Sequence, residues 1–156
     1  MKKLQLFFFL LSIVLISCDP RRVFDENTSF KDNIWDRTNK ITFQVPITDT
    51  VSAHNVYINI RNSEGYPYSN LYLFIHSTFP NGKKYTDTLE CMLADATGKW
   101  LGSGAGDIYD NQILYKRNVR FRQSGTYTFE LEQAMRLDKL PLIMDAGMRI
   151  ERAKQK

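Results

Sequence analysis

A chain of 156 residues that is 43% hydrophobic has room for one ordinary domain with a real core. Its 21 basic and 17 acidic residues leave a net charge of +4, and two of the lysines lie in the first three positions, so the remainder is near neutral and nucleic acid is not an expected partner. Two cysteines and two histidines give little material for a transition-metal site.

The first element is an export signal. Lys2 and Lys3 form a positive start, and Leu4 to Ile16 is an apolar run broken only by Gln5 and Ser12. The run is too short to stay in a bilayer as a spanning helix, which predicts a signal peptide over residues 1–17. Leu15-Ile16-Ser17-Cys18 resembles the lipobox of bacterial lipoproteins. That resemblance implies that Cys18 is diacylated on sulfur, with palmitate-type chains, and becomes the new N-terminus. The membrane is then a partner through this lipid. Asp19 fills the place of the inner-membrane retention signal of enterobacteria, and no acidic run resembling a surface-export tag follows, so a periplasm-facing domain is expected. With Cys18 committed to lipid, Cys91 stands alone and no intrachain disulfide can form. Cys91 is in phase with Leu89 and Leu93, the pattern of a small buried hydrophobe rather than a nucleophile.

Residues 18–33 are polar, with Val23, Phe24 and Phe30 the only large apolar side chains. This predicts a flexible tether spanning about 20 Å, followed by one domain over residues 34–156. Period-2 alternation dominates that domain. Ile41, Phe43, Val45 and Ile47 share one face, and Pro46, which cannot donate to a ladder, places their strand at an edge. Val56, Ile58 and Ile60 alternate with Tyr57, Asn59 and Arg61. Leu71 to Ile75 is apolar on both faces, as in a strand covered on both sides. Tyr85–Leu93, Tyr115–Arg122, Tyr127–Glu132 and Met144–Ile150 alternate again.

Turn signals separate these seven candidates, among them Ser63-Glu64-Gly65, Pro80-Asn81-Gly82 and Ser124-Gly125. Only residues 133–140 look helical, stopped by Pro141. The whole predicts an all-β fold, a two-sheet antiparallel sandwich (Ig-like or jelly-roll) with one short helix near 133–140. Tyr127, two residues before the core position Phe129, resembles the tyrosine corner of Ig-like sandwiches.

No catalytic set stands out. The Gly98–Asp107 loop is not followed by a helix pattern, so it reads as a cap on one end of the sandwich rather than a phosphate cradle. Asp107, Asp110 and Asn111 offer few oxygen ligands for a cation, and His54 and His76 have no triad-like neighbours. No cofactor, metal or small-molecule substrate is expected. Lys116, Asn118, Arg120 and Arg122 form a basic stripe. It is either an anion-binding surface (Lys116, Arg120, Arg122) or, as the plainer reading, a cross-strand charge ladder against Glu130 and Glu132. Tyr66 and Tyr68 flank Pro67 on a turn, and with Trp100 and Asp107 they are the candidate partner contacts.

Several longer blocks form a set. They are His54–Asn62 leading into Tyr66-Pro67-Tyr68-Ser69-Asn70-Leu71; Asp87-Thr88-Leu89-Glu90; Gly98-Lys99-Trp100-Leu101-Gly102; Gly106-Asp107-Ile108-Tyr109-Asp110; Glu132–Arg136; and Asp145–Ile150. With the lipobox, they resemble the GldH-type gliding-motility lipoproteins of Bacteroidetes-like bacteria, from about Val23 to Arg152. The resemblance implies a non-enzymatic envelope lipoprotein of the gliding apparatus, working with envelope proteins linked to type IX secretion. A glycan-binding envelope lipoprotein is the alternative. Asp49-Thr50-Val51 and Asp87-Thr88-Leu89 also resemble the O-glycosylation sequon of exported proteins in such bacteria, with Thr50 and Thr88 as acceptors.

Overall fold

Alternation of apolar and polar side chains folds as strand here because each strand has one face to bury. The computed structural model describes residues 19–154; the expected signal peptide and Cys18 lie outside the described residues. Eleven strands are present: β1 (Arg22–Ser29), β2 (Ile34–Asp36), β3 (Ile41–Ile47), β4 (His54–Ser63), β5 (Asn70–Thr78), β6 (Lys84–Met92), β7 (Ser103–Ala105), β8 (Ile108–Val119), β9 (Gly125–Gln133), β10 (Lys139–Pro141) and β11 (Ile143–Arg152). They form two antiparallel sheets, ordered β1-β11-β4-β8-β7 and β3-β9-β5-β6, and a ribbon of β10 with β2. The all-β sandwich expected from the sequence is the fold. Pro46 does lie on an edge strand, β3.

The core lies between the sheets. Ile58, Leu73, Ile75, Leu131, Ile143 and Met148 are fully buried, each contributing about 1.5–3 kcal/mol by leaving water. Trp35 caps this core with no exposed surface, stacks on Phe30 at 4.8 Å and donates its indole N–H to the Asn39 carbonyl. Cys91 is buried, as its phase predicts.

Four expectations are corrected. No helix occupies residues 133–140. Gln133 ends β9 with its side-chain amide buried, donating to the Leu137 and Asp138 carbonyls and accepting the Met135 N–H. The backbone groups a helix would use are thereby taken, and Lys139–Pro141 pairs with β2 instead. Among the described residues the only helical segment is a 3-10 turn at Lys31–Asn33.

The segment expected to be a tether is part of the sandwich. β1 pairs with β11 from Arg22 opposite Glu151 to Ser29 opposite Asp145. The strand comes so close that a Cβ on Gly147 would lie 1.9 Å from Asn27 Oδ1, so only glycine fits there. Upstream of β1, the Asp19 carboxylate is bonded by Arg149, and the Arg22 N–H donates to the Asp19 carbonyl at 3.1 Å.

Third, β5 is covered on one face only. Leu71, Leu73 and Ile75 are buried, but Tyr72 and Phe74 are 37% and 38% exposed. Fourth, the stripe cannot ladder against Glu130 and Glu132, because β8 and β9 belong to different sheets. Glu132 is held by Lys40 at 2.7 Å and His76 at 3.0 Å.

The strand registers define two ends. Arg22 lies opposite Glu151, Arg152 opposite His54, and His54 opposite Val119. The loops 48–53, 79–83 and 120–124 therefore share one end with the point where the chain enters at Asp19. The loops 64–69, 93–102 and 134–138 share the other, which we call the far end.

Candidate functional site

The far end collects the proposed partner contacts, but mostly as packing. Tyr66 is only 4% exposed, and its hydroxyl donates to the Asn70 carbonyl at 3.1 Å. Burial pushes its phenol pKa up. Tyr68 meets Tyr66 edge-on at 5.6 Å, and Trp100 lies between Tyr66 (6.4 Å) and Tyr109 (5.7 Å). The structure thus brings Tyr66, Tyr68 and Trp100 into one cluster, with Tyr68 the exposed member. Asp107 joins through its backbone, whose carbonyl accepts the Glu64 N–H at 2.7 Å, and its side chain is exposed.

The glycine loop caps this end, as expected. The Asp95 carboxylate accepts the N–H groups of Thr97 and Lys99, Ala94 bridges to Trp100, and Leu101 donates back to Leu93. A Cβ on Gly104 would meet the Tyr109 ring at 2.9 Å, so this glycine serves close packing rather than an anion. Asp110 is held by Arg61 at 2.6 Å, and the buried Asn111 amide donates to the Ile60 carbonyl and to Asn62. Asp110 lies on the polar outer face of the five-stranded sheet and Asn111 on its buried face, and both side chains are occupied.

The entry end is built differently. A groove of about 670 Å³ opens between β6 and β8, walled by Phe79, Tyr85, Tyr115, Phe121 and Tyr127 and rimmed by Lys83, Lys116, Arg120 and Arg122. Beside this groove the β4–β8 pairing passes through two register shifts, on either side of Val56. Asp87 ties the two edges together, accepting from the Tyr115 hydroxyl and from Lys116 at 2.9 Å. These bonds hold the Asp87 carboxyl below its usual range, while burial, then Asp87, pushes the Tyr115 phenol up. Tyr127 forms the corner: its hydroxyl donates to the Gln123 carbonyl at 3.1 Å and fixes the turn that carries Arg120 and Arg122.

Of the stripe, Lys116 is paired, whereas Arg120 and Arg122 rim the groove beyond β8. The sequence singled out these cations but not the rings beside them. Phe79, Tyr85, Phe121 and Tyr127 come from two turns and two strands, and no local pattern joins them. Thr88 is exposed and Thr50 half-buried. Elsewhere, His54 is fully buried under Phe121 with neither ring nitrogen hydrogen-bonded, and burial holds its pKa below the usual value. Burial likewise pushes the Cys91 thiol up to about 12, so it is no nucleophile. Among the described residues, no group of three or more His, Cys, Asp or Glu is placed to hold a metal ion.

A family model described as GldH lipoprotein matches residues 22–150, from the first residue of β1 almost to the end of β11. The chain belongs to the GldH lipoprotein family. Its relatives include a protein of Christiangramia forsetii named gliding motility lipoprotein GldH homolog, 38% identical over 96% of both chains. Another is the gliding motility lipoprotein GldH of Flavobacterium johnsoniae, 36% identical over 91% of this chain and 92% of its own. No solved structure matches the chain. The family match begins at Arg22, so β1 belongs to the shared domain. Among the described residues no helix is long and apolar enough to cross a membrane.

Proposed function

We propose that the chain is a gliding-motility lipoprotein of the cell envelope, anchored by lipid on Cys18, facing the periplasm and acting without catalysis in the assembly or operation of the gliding apparatus. The match of residues 22–150 to the GldH lipoprotein family carries this reading, and the names of both relatives support it. The link to type IX secretion is part of the same proposal. Envelope partners would meet Tyr68 and Asp107 at the far end, with Tyr66 and the packed Trp100 supporting them from beneath. The glycan-binding alternative loses its best platform, because Trp100 is packed between Tyr66 and Tyr109 rather than presented for stacking.

A deletion strain examined for colony spreading tests the role. Loss of spreading, with specific crosslinks from the tagged protein to envelope motility proteins, is expected. Normal spreading contradicts it, and growth lost only on particular polysaccharides promotes the alternative.

A further inference from the structure

The first observation is how the chain enters the fold. Asp19 is bonded to Arg149 and to the Arg22 N–H, and the Arg152 N–H donates to the Arg21 carbonyl at 2.8 Å. Cys18 to Arg22 is four residues, which reach at most about 14 Å when fully extended. A lipid on Cys18 therefore leaves the entry end against the bilayer rather than hanging from a linker.

The second is charge. Lys83, Arg120 and Arg122 are exposed on the groove rim. Among the described residues no carboxylate lies within 4.0 Å of any of the three. Asp87, which lines the groove, is already taken by Lys116, and Asp49 in the 48–53 loop by Arg152. On the outer face of the five-stranded sheet, by contrast, Arg61 and Arg149 each hold two or more carboxylates. Cations left unpaired beside an anchor suit a negative surface.

The third is the rings. Tyr85 is 53% exposed at the groove, beside Phe79 and Phe121. Tyrosines with an apolar body and a polar tip sit well at headgroup level. From β1 to β8 is three strand spacings, about 15 Å, so anchor and groove occupy opposite corners of one end.

We propose that the entry end is a membrane-contact surface, on which Lys83, Arg120 and Arg122 bind anionic phospholipid headgroups around the ring-lined groove. It rests on the lipidation of Cys18 proposed above. The far end then stands about 30 Å from the bilayer, the length of β5, free to meet partners.

The test uses the lipidated full chain in vesicles of phosphatidylcholine with or without phosphatidylglycerol. A donor dye is placed on Gln123→Cys at the entry end or on Ala96→Cys at the far end, with an acceptor dye in the lipid surface. Both positions are exposed, and Cys91 is buried. Quenching severalfold stronger at 123 than at 96 is expected, with the contrast growing when phosphatidylglycerol is present. Equal quenching at the two positions, or stronger quenching at 96, overturns the proposal. A second arm floats the unlipidated Cys18→Ser full chain with the same vesicles. Binding only to phosphatidylglycerol vesicles is expected. The Lys83→Gln, Arg120→Gln, Arg122→Gln variant should then bind about 100-fold more weakly, at about fivefold per near-surface cation. Unlipidated chain that ignores phosphatidylglycerol, or that prefers a soluble acidic peptide, also overturns it. If wild-type chain made in its host carries no acyl chain, the anchoring reading fails instead, while the flotation arm still reads the headgroup surface.

Discussion

The two ends of this sandwich use the same residue types for opposite purposes. At the far end Tyr66, Tyr68, Trp100 and Tyr109 lean on one another, and the Asp95 turn folds the chain back over them. At the entry end Phe79, Tyr85, Phe121 and Tyr127 line open space, with cations on its rim. The difference comes from the backbone. A long loop with a small strand closes the far end, whereas short turns at 79–83 and 120–124 leave the β6 and β8 edges parted. An aromatic residue in a loop is thus no evidence of a contact until the chain above it is known.

This contrast predicts unequal responses to substitution. The largest is expected at Tyr66. Tyr66→Ala removes a buried ring and a satisfied hydroxyl, and should cost about 3–5 kcal/mol in urea unfolding. A loss under about 1 kcal/mol would mean that the far-end cluster is not packed as described.

The next effect depends on pH. His54 is buried at the entry end, facing Phe121, with Asp49 favouring and Arg152 opposing its protonation. Its folded pKa is depressed below 6.5, so folded and unfolded chains are both neutral well above that value. Below it the unfolded chain takes up a proton that the folded chain refuses until its own pKa is reached. Stability should therefore be full above about pH 6.5 and fall by at most about 1.4 kcal/mol per pH unit as the solution is acidified through that window. His54→Phe should flatten this part of the profile; an unchanged slope would assign it to other groups.

The smallest effect should come from the groove cations. Arg120→Gln with Arg122→Gln should shift stability by no more than about 0.5 kcal/mol, because neither side chain has a partner to lose. A larger loss in chemical denaturation would make them structural and blur the distinction between the ends.

How much of this was legible follows from what each strand buries. β3, β4 and β9 announce themselves because alternate residues are buried along their length. β1 does not, since Phe24 is its only buried residue and its partner strand meets it with Gly147. Composition read it as tether because an edge strand can be almost wholly polar and still be ordered by its ladder. Residues 133–140 look helical up to Pro141, but the long-range pairing of Leu140 with Trp35 and the Gln133 amide prevail over local preference. At the candidate sites the cations Lys116, Arg120 and Arg122 were visible as a stripe. The rings that turn them into a groove were not, because only tertiary structure brings residues 79, 85, 121 and 127 together.

On the proposal above, the entry end lies on the membrane and the far end does not. Oxidative footprinting compares the two in one experiment, with the lipidated chain on phosphatidylglycerol-containing vesicles set against the unlipidated Cys18→Ser chain in solution. Protection of Tyr85 on the vesicles, with Tyr68 and Leu101 oxidised equally in both states, is the predicted result. Protection of Tyr68 and Leu101 with Tyr85 unchanged would contradict the claim.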